Sequence, residues 1–286
     1  IPVTVEVANA KHTEAALKAG VDVLWLGART TVNPFSVQEV CEVLKGTDIP
    51  VMVKNPINPD HQIWIGAIER LLNVGINKIA GIHRGCSDNV PSRFRNNPEW
   101  SMPILLKREF PDLAVISDPS HICGNRKMIK EISQTALNFG LDGLMIETHN
   151  DPDNAWSDAK QQITPDQLKS ILTDLIVRHS IEDTPELLSE MEQHRQIIDV
   201  LDKQLIEIIA QRFKAIEEIG AYKKAHNLTV FQLGRWNEVI DTRMKMAIES
   251  GVSEKFIRKL LMDIHDESIN LQEANMHNKT KPKVKK

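Results

Sequence analysis

The sequence predicts two domains of different class: a parallel β/α barrel-type domain over residues 1–178 and an all-α domain over residues 185–277. Up to about residue 180, short β-rich runs alternate with helical stretches, which is typical of βα units around a parallel sheet. Beyond that point, apolar residues recur at helical spacing. The polar segment 179–184 between the two parts predicts a linker.

Six strands are predicted in the first domain, with helices between them. The strand runs are 3–7, 23–27, 51–54, 78–82, 114–117 and 143–147, and helical runs include 13–19, 35–44, 63–73 and 126–139. A closed barrel of this TIM type has eight strands. The sequence therefore predicts a barrel that lacks its first two strands.

Composition narrows the function classes. The chain has 286 residues and a formal net charge of -4, which is not typical of a general nucleic-acid binder. Cys41, Cys86 and Cys123 show neither metal-ligand spacing nor a disulfide framework, which indicates a reducing, cytoplasmic environment. The sequence contains no signal peptide and no apolar run near 18 residues, so no membrane span is predicted.

Chemically reactive side chains follow the predicted strands of the first domain. They are Arg29, Lys54, Arg84, His121 and Glu147, with Asp158 in the loop beyond the sixth strand. The carboxyl ends of barrel strands form the active face. Three cations suit a phosphate and a carboxylate, and the His, Glu and Asp suit a divalent metal. Any one of these residues alone is more often structural or solvated, but the series favours a site.

Six motifs along this domain resemble those of 3-deoxy-D-arabino-heptulosonate 7-phosphate (DAHP) synthases, over roughly residues 1–178. They are Gly27-Ala28-Arg29-Thr30-Thr31, Lys54-Asn55, Arg84-Gly85, Asp118-Pro119-Ser120-His121, Glu147-Thr148-His149 and Ser157-Asp158. The resemblance implies condensation of phosphoenolpyruvate with erythrose 4-phosphate. It also implies that Arg29, Lys54 and Arg84 bind phosphoenolpyruvate, with Lys54 among the catalytic residues. It further implies three of four ligands, His121, Glu147 and Asp158, for a metal of the manganese, iron, cobalt or zinc class.

The resemblance is incomplete at the start of the chain. The family's Gly-Pro-Cys-Ser motif, which supplies a cysteine ligand, and its Lys-Pro-Arg-Thr motif do not occur. We expect about 70–90 further N-terminal residues in the intact protein, the length of two βα units with a lead-in. Synthase activity is expected to be absent or severely impaired in this chain. Cys86 and Cys123 follow active-face strands, but ordinary small loop residues are the simpler interpretation.

The second domain begins with a predicted helix from Pro185 to about residue 226, with Thr184 as its N-cap. Two further helices are predicted at about 234–250 and 253–276. Because the first helix is too long to bury its apolar stripe alone, it needs partner helices. The plainest interpretation is a dimerising bundle with a solvated cationic face.

The spacing of the cations on the first helix favours a shared site instead. Arg212 and Lys223 are 11 residues apart and point the same way, roughly 16 Å apart along the axis. Arg195 precedes Arg212 by 17 residues, which places it roughly 25 Å away on a different face. One small substrate cannot contact all three residues on one helix. We therefore expect Arg195 to serve a neighbouring subunit and the substrate to be small and multiply anionic.

The helical domain also resembles the all-helical chorismate mutases, over about residues 185–276. The matching positions are Arg195, Leu201-Asp202, Arg212, Gly220 with Lys223, Arg235, and Ser268 with Gln272. Gly220 interrupts a helix at a cost of about 1 kcal/mol relative to alanine, which indicates a close approach. Two acidic positions of the family pattern are instead occupied by Gln232 and Trp236.

This second resemblance implies the rearrangement of chorismate to prephenate by a homodimer without a cofactor. The enzyme must hold two carboxylates and stabilise charge on the ether oxygen. Arg212 and the partner subunit's Arg195 would clamp the carboxylates, and Lys223 and Gln272 would face the ether oxygen. Arg235 and Ser268 would complete the pocket.

The whole chain is thus interpreted as a DAHP synthase fused to a chorismate mutase, with a disordered basic tail over residues 278–286. Two alternatives remain. The mutase could carry a catalytically dead barrel, and the barrel could be a regulatory or scaffolding module that senses an aromatic amino acid. The expected partners are the small anionic substrates and a second copy of the chain, with no nucleic acid or membrane.

Overall fold

The computed structural model describes residues 1–87, 92–178 and 185–277. The chain folds into two compact units, Ile1–Ser180 and Ile181–Lys286. The predicted linker 179–184 and the predicted disordered tail 278–286 lie outside the described residues. Each unit is described by itself below.

Among the described residues of the first unit, six parallel strands form one sheet, and their order in the sheet is their order in the chain. They are β1 (Thr4–Val7), β2 (Val23–Leu26), β3 (Val51–Lys54), β4 (Ile79–His83), β5 (Ala114–Ser117) and β6 (Gly143–Leu144). Each pairs in parallel with the next. Within the described ranges, no pairing joins β1 to β6. The predicted class, a six-stranded parallel sheet of barrel type, is confirmed.

Eight α-helices in the described part of this unit connect or flank the strands. They are α1 (Ala10–Ala19), α2 (Ala28–Thr31), α3 (Pro34–Leu44), α4 (His61–Asn73), α5 (Ser101–Glu109), α6 (Pro119–Cys123), α7 (Ile129–Asn138) and α8 (Pro165–Asp174). The predicted helix 126–139 is divided, because Asn125 accepts the amide hydrogen of Lys127 and starts a short 3₁₀ turn before α7. The helices α2 and α6 are too short to give a periodic signal.

The core of the first unit lies between the sheet and its helices. Trp64 of α4 is fully buried, and its indole Nε1 donates a hydrogen bond to the carbonyl oxygen of Val53, at 3.0 Å. Leu24 and Leu26 of β2 are also fully buried. This packing fixes the strands, and the strand ends then carry the polar residues of the site.

Over residues 185–277, three helices form the second unit: α9 (Pro185–Ala225), α10 (Leu233–Glu249) and α11 (Glu254–His277). The C-terminal half of α9 packs closely on α11, where Gly220 faces the Cα atom of Gln272. The N-terminal half presents large apolar side chains to solvent, with Ile197, Leu201 and Leu205 each more than half exposed. No helix in the described ranges is both long and apolar enough to cross a membrane.

Candidate active sites

The first cavity, of about 360 Å³, lies at the carboxyl ends of the strands of the first unit. All six residues predicted from strand ends line it, namely Arg29, Lys54, Arg84, His121, Glu147 and Asp158. Glu6, Trp25 and Arg95 line it as well. The parallel topology brings these residues together because every strand delivers its carboxyl end to the same edge.

Lys54 is held in this cavity by a buried ion pair. Its Nζ lies 2.9 Å from an oxygen of Asp118, and the two side chains are 5% and 1% exposed. The same ammonium lies 4.5 Å from the centroid of the Trp25 ring. Burial raises the pKa of Asp118, but the neighbouring His121 and Lys54 outweigh it, and the pKa falls to about 2. The pair therefore fixes the Lys54 ammonium at the end of β3.

Arg84 is positioned by two buried amide side chains. The carbonyl oxygen of Asn55 accepts the Arg84 backbone amide at 2.7 Å, and that of Asn96 accepts the guanidinium at 2.9 Å. Gly85 follows with φ 76°, and a Cβ there would lie 2.9 Å from the backbone oxygens of Asn96 and Asn97. Glycine is thus required for the turn that directs Arg84 into the cavity. Burial is the main cause that lowers the pKa of Arg84.

The three predicted metal ligands converge. One ligand atom each from His121, Glu147 and Asp158 lies within 4.8 Å of the other two. The His121 Nδ1 atom lies 2.8 Å from an oxygen of Asp118, and metal-binding histidines are commonly oriented by such a carboxylate. An imidazole with two carboxylates is a donor set that fits manganese, iron or zinc. The residues present therefore fit a divalent metal.

Arg95 and Gln161 were not predicted from the sequence. The Arg95 guanidinium donates to Asp158 at 2.6 Å and to the Gln161 oxygen at 2.7 Å. The Gln161 amide donates to Glu147 at 3.1 Å. These contacts tie together two of the three candidate ligands. Arg95 lies in an irregular segment away from any strand end, so no periodic signal could have identified it.

The second cavity, of about 480 Å³, lies within the helical unit. Five of the six predicted mutase residues line it: Arg212, Lys223, Arg235, Ser268 and Gln272. None of its lining residues within the described ranges is an Asp or Glu. Arg243 adds a cation that sequence analysis missed. The cavity therefore collects four positive side chains with no carboxylate to balance them at its wall.

Buried polar contacts fix the base of this cavity. Lys223 is 8% exposed, its ammonium donates to the Val230 carbonyl oxygen, and burial lowers its pKa. Arg212 donates to the Ser268 hydroxyl at 2.8 Å. Gln272 donates to the Ser268 carbonyl oxygen at 3.0 Å, and its own amide oxygen is buried without a hydrogen-bond partner among the described residues. Burial, and then the nearby Arg243, lower the pKa of Arg212.

Arg195 is the predicted mutase residue that the single chain does not bring into the cavity. It lies in the N-terminal half of α9 and faces Glu192 at 3.7 Å, with half of its side chain exposed. Arg235, in contrast, lines the cavity and also forms an exposed ion pair with Glu238 at 2.7 Å. An aromatic pair, Trp236 and His265, completes the wall. Trp236 occupies one of the two acidic positions of the family pattern, whereas His265 was not predicted.

In comparisons with known proteins, each of the two regions matches a family model. A family model described as "DAHP synthetase I family" matches residues 1–183, and one described as "Chorismate mutase type II" matches residues 194–273. The first unit is therefore of the class of parallel β/α proteins of barrel type. The chain belongs to the DAHP synthetase I family, and its helical region matches the type II chorismate mutase domain.

Individual relatives cover part of the chain. A phospho-2-dehydro-3-deoxyheptonate aldolase of Thermotoga maritima is 26% identical over 154 residues, which are 54% of this chain and 44% of that protein. A 2-dehydro-3-deoxyphosphooctonate aldolase of Desulfotalea psychrophila is 31% identical over 132 residues, which are 41% of this chain and 44% of that protein. The chain thus spans less than half the length of these relatives.

A solved structure supports the fold. A truncated form of 3-deoxy-D-arabino-heptulosonate 7-phosphate synthase from Thermotoga maritima superposes with a TM-score of 0.54 at 24% identity. The superposition covers 61% of this chain and 64% of that chain. At this identity the likeness establishes the fold of the first unit and nothing finer.

Proposed function

We propose that the helical unit is a chorismate mutase. The observation that carries this proposal is a cavity lined by Arg212, Lys223, Arg235 and Arg243 without a carboxylate in its described wall. Chorismate is a small dicarboxylate, and its rearrangement needs neither a nucleophile nor an acid–base step. Cations in a partly buried cavity without a carboxylate in its described wall supply what that reaction requires, namely compaction of a dianion and stabilisation of growing negative charge.

Each buried group has a role in this mechanism. Arg212, held by the Ser268 hydroxyl, binds one carboxylate of chorismate. Lys223 donates to the ether oxygen as the C–O bond breaks, because its ammonium is buried at the base of the cavity. Gln272 lies on the same helix face as Ser268 and contacts the same oxygen. Arg235 closes the pocket near its mouth.

We also propose that the active form is a homodimer in which the partner subunit's Arg195 binds the second carboxylate. Arg195 stands outside the cavity of its own chain. The helix segment that carries it exposes large apolar side chains, including Ile197, Leu201 and Leu205. An exposed apolar face of this kind on a long helix is suited to a partner helix. Dimerisation would cover this face and complete the site.

The mutase proposal is tested by following the loss of chorismate absorbance with the purified chain, with and without a chelator. We expect prephenate formation at the same rate in both conditions. Arg212→Ala should raise KM and lower kcat, whereas Arg258→Ala on an exposed face should change neither. A folded, dimeric wild-type chain that does not convert chorismate would exclude this function.

We propose that the barrel unit belongs to a DAHP synthase that condenses phosphoenolpyruvate with erythrose 4-phosphate. The observation that carries this proposal is the convergence of Arg29, Lys54 and Arg84 on one cavity beside His121, Glu147 and Asp158. The cations would bind the phosphate and carboxylate of phosphoenolpyruvate. Asp118 holds Lys54 in place, and Asn55 directs Arg84.

A divalent metal held by His121, Glu147 and Asp158 would polarise the aldehyde carbonyl of the acceptor. We propose a metal of the manganese, iron, cobalt or zinc class, because imidazole with two carboxylates suits these ions. Arg95 and Gln161 would orient the two carboxylates through their hydrogen bonds. The helical unit needs no such ion for its proposed reaction.

Calorimetric titration of phosphoenolpyruvate, in the presence of Mn²⁺, tests the barrel proposal directly. We expect binding that Arg84→Ala weakens at least tenfold, and that Arg108→Ala, exposed on α5, leaves unchanged. Condensation is then assayed in this chain and in the chain extended by whatever coding sequence precedes Ile1. If neither form binds phosphoenolpyruvate or condenses it, the barrel is a scaffolding or regulatory module beside an active mutase.

A further inference from the structure

Two aromatic rings hold His265 at the wall of the helical cavity. The Trp236 ring of α10 stacks on the imidazole, with ring centroids 3.7 Å apart and planes inclined by 28°. Phe231 meets the same imidazole edge-on at 6.0 Å. His265 precedes Ser268 by three residues and Gln272 by seven, so the three side chains share one face of α11. The imidazole is therefore fixed beside the buried polar groups of the cavity.

Chorismate carries one hydrogen-bond donor that the cations of the cavity cannot bind, because cations offer no acceptor atom. Its ring hydroxyl is a hydrogen-bond donor and needs an acceptor, but no Asp or Glu lines the cavity in the described part of the chain. The Ser268 hydroxyl already accepts from Arg212 and donates to the Ile264 carbonyl oxygen. The remaining side-chain candidates are His265, Gln232 and the amide oxygen of Gln272. Gln272 lies beside Lys223 at the base, where the ether oxygen is expected. Gln232 is exposed, and no side-chain hydrogen bond holds it at the start of α10.

We propose that the neutral imidazole of His265 accepts the hydrogen bond of the ring hydroxyl of chorismate, and that Trp236 is the positioning residue for this contact. The proposal rests on the chorismate mutase function proposed above. A neutral imidazole offers one acceptor nitrogen and one donor nitrogen, so it can replace a carboxylate as acceptor for a single hydroxyl. Because its ring is already fixed by stacking, little freedom is lost on binding.

The charges around His265 are consistent with a neutral ring. The facing groups are Arg212 and Lys223 on α9, Arg235 and Arg243 on α10, and Asp266 on its own helix. Burial lowers the pKa of His265 most, Asp266 opposes this, and Arg212 lowers it further. The net pKa lies below the ordinary value of about 6.5. Above that value the acceptor nitrogen is available, and it is lost as the pH falls through the lowered pKa.

The test compares chorismate with an analogue that lacks the ring hydroxyl. The measured quantity is the ratio of the two kcat/KM values, because effects on the carboxylates cancel in that ratio. His265→Leu should lower the ratio roughly tenfold, the effect of removing one partly buried acceptor. His265→Gln keeps an acceptor and should restore much of it. His226→Leu is the matched control, because His226 is exposed and bonded to the Tyr222 carbonyl oxygen outside the cavity.

The pH profile and the positioning residue provide independent readouts. In the wild type the ratio should fall as the pH is lowered through the depressed pKa of His265, whereas in His265→Gln it should not change with pH. Trp236→Ala should lower the ratio, and Trp236→Phe, which can still stack, should preserve it. Circular dichroism and thermal unfolding check that each variant is folded.

The outcomes distinguish a failure of this proposal from a failure of the chorismate mutase function on which it rests. If the wild type does not convert chorismate, the mutase function itself fails. If the wild type is active and folded His265→Leu keeps the wild-type ratio at every pH, the role of His265 is excluded. A hydroxyl-dependent loss in Gln232→Ala, with none in His265→Leu, would overturn the proposal in favour of Gln232.

Discussion

The two units of the chain balance charge in opposite ways. In the barrel cavity the buried Lys54 is paired with Asp118, and Arg95 is paired with Asp158. In the helical cavity no carboxylate of the described wall balances Arg212, and after burial the charge that lowers its pKa is another cation, Arg243. Two of the cations at the barrel site, Lys54 and Arg95, are thus paired with carboxylates within the chain before a ligand arrives. The helical site keeps a positive potential that an anionic ligand would neutralise.

The units also differ in how completely they bury apolar surface. Strand and helix residues such as Leu24, Trp64 and Leu71 are fully buried in the barrel unit. On α9, Ile206 and Ile208 remain 67% and 61% exposed. Full burial of each such side chain contributes roughly 1.5–3 kcal/mol to stability. The barrel unit therefore has a core of its own, whereas α9 offers a face that a second copy could cover.

The largest expected effect is a loss of stability when one member of the buried ion pair in the barrel unit is removed. Asp118→Ala leaves the ammonium of Lys54 buried without a partner, and losing one member of a buried pair costs about 3–5 kcal/mol. The urea concentration at the midpoint of unfolding of the barrel unit should therefore fall, while chorismate turnover persists. Asp174→Ala is the control, because its pair with Lys130 is about half exposed and contributes less than about 1 kcal/mol. Equal shifts in the two variants would contradict the comparison.

The next effect tests the unbalanced charge of the helical cavity. Lys223→Ala should lower kcat for chorismate by on the order of 10²–10³, the usual cost of removing one donor to a developing anion. The fold should persist, because the residue lines a cavity. Lys255→Ala, on the exposed surface of α11, should retain wild-type turnover. Near-normal prephenate formation by folded Lys223→Ala would remove the mutase assignment.

Local sequence signals were sufficient for the strands and for the strand-end residues. The predicted starts of β2, β3 and β5 are the observed ones, because β-rich runs begin abruptly after turns. The predicted sixth strand extended to Glu147, but regular pairing ends at Leu144. Once a parallel sheet is predicted, its topology implies that strand-end residues share one edge. The rise and rotation per residue of an α-helix likewise predicted that Arg195 lies away from Arg212, and in the structure Arg212 lines the helical cavity whereas Arg195 does not.

Contacts between distant elements left no local signal. The burial of Asp118 depends on Lys54, 64 residues earlier in the chain. Arg95 reaches Asp158 across 63 residues from an irregular segment. The stack of Trp236 on His265 depends on the register between α10 and α11, which periodicity within one helix does not determine. Arg95 and His265 became candidates only after the fold was known, as did the contacts that Asp118 and Trp236 make.

Mixing of two inactive variants tests whether the helical unit needs a second copy of the chain, whereas the barrel unit has a core of its own. Arg195→Ala and Lys223→Ala chains should each be nearly inactive alone. If sites are shared, a heterodimer has one site with both native residues, so a one-to-one mixture should recover about a quarter of the wild-type activity. Fluorescence exchange between labelled chains verifies mixing. No recovery after complete exchange would show that each chain completes its own site.

The smallest expected effect concerns the close packing of α9 on α11. A Cβ at Gly220 would lie 3.2 Å from the Asn275 side-chain nitrogen and 3.3 Å from the Gln272 Cα atom, so α11 must yield by a few tenths of an ångström. Alanine gains up to about 1 kcal/mol in helix propensity, which offsets this strain, so thermal stability should change little. Because the displaced atom belongs to Gln272, kcat should still fall by roughly three- to tenfold. Gly234→Ala is the matched control, since its Cβ would meet open space and should leave kcat unchanged. A wild-type kcat in Gly220→Ala would mean that the position of Gln272 does not limit the reaction.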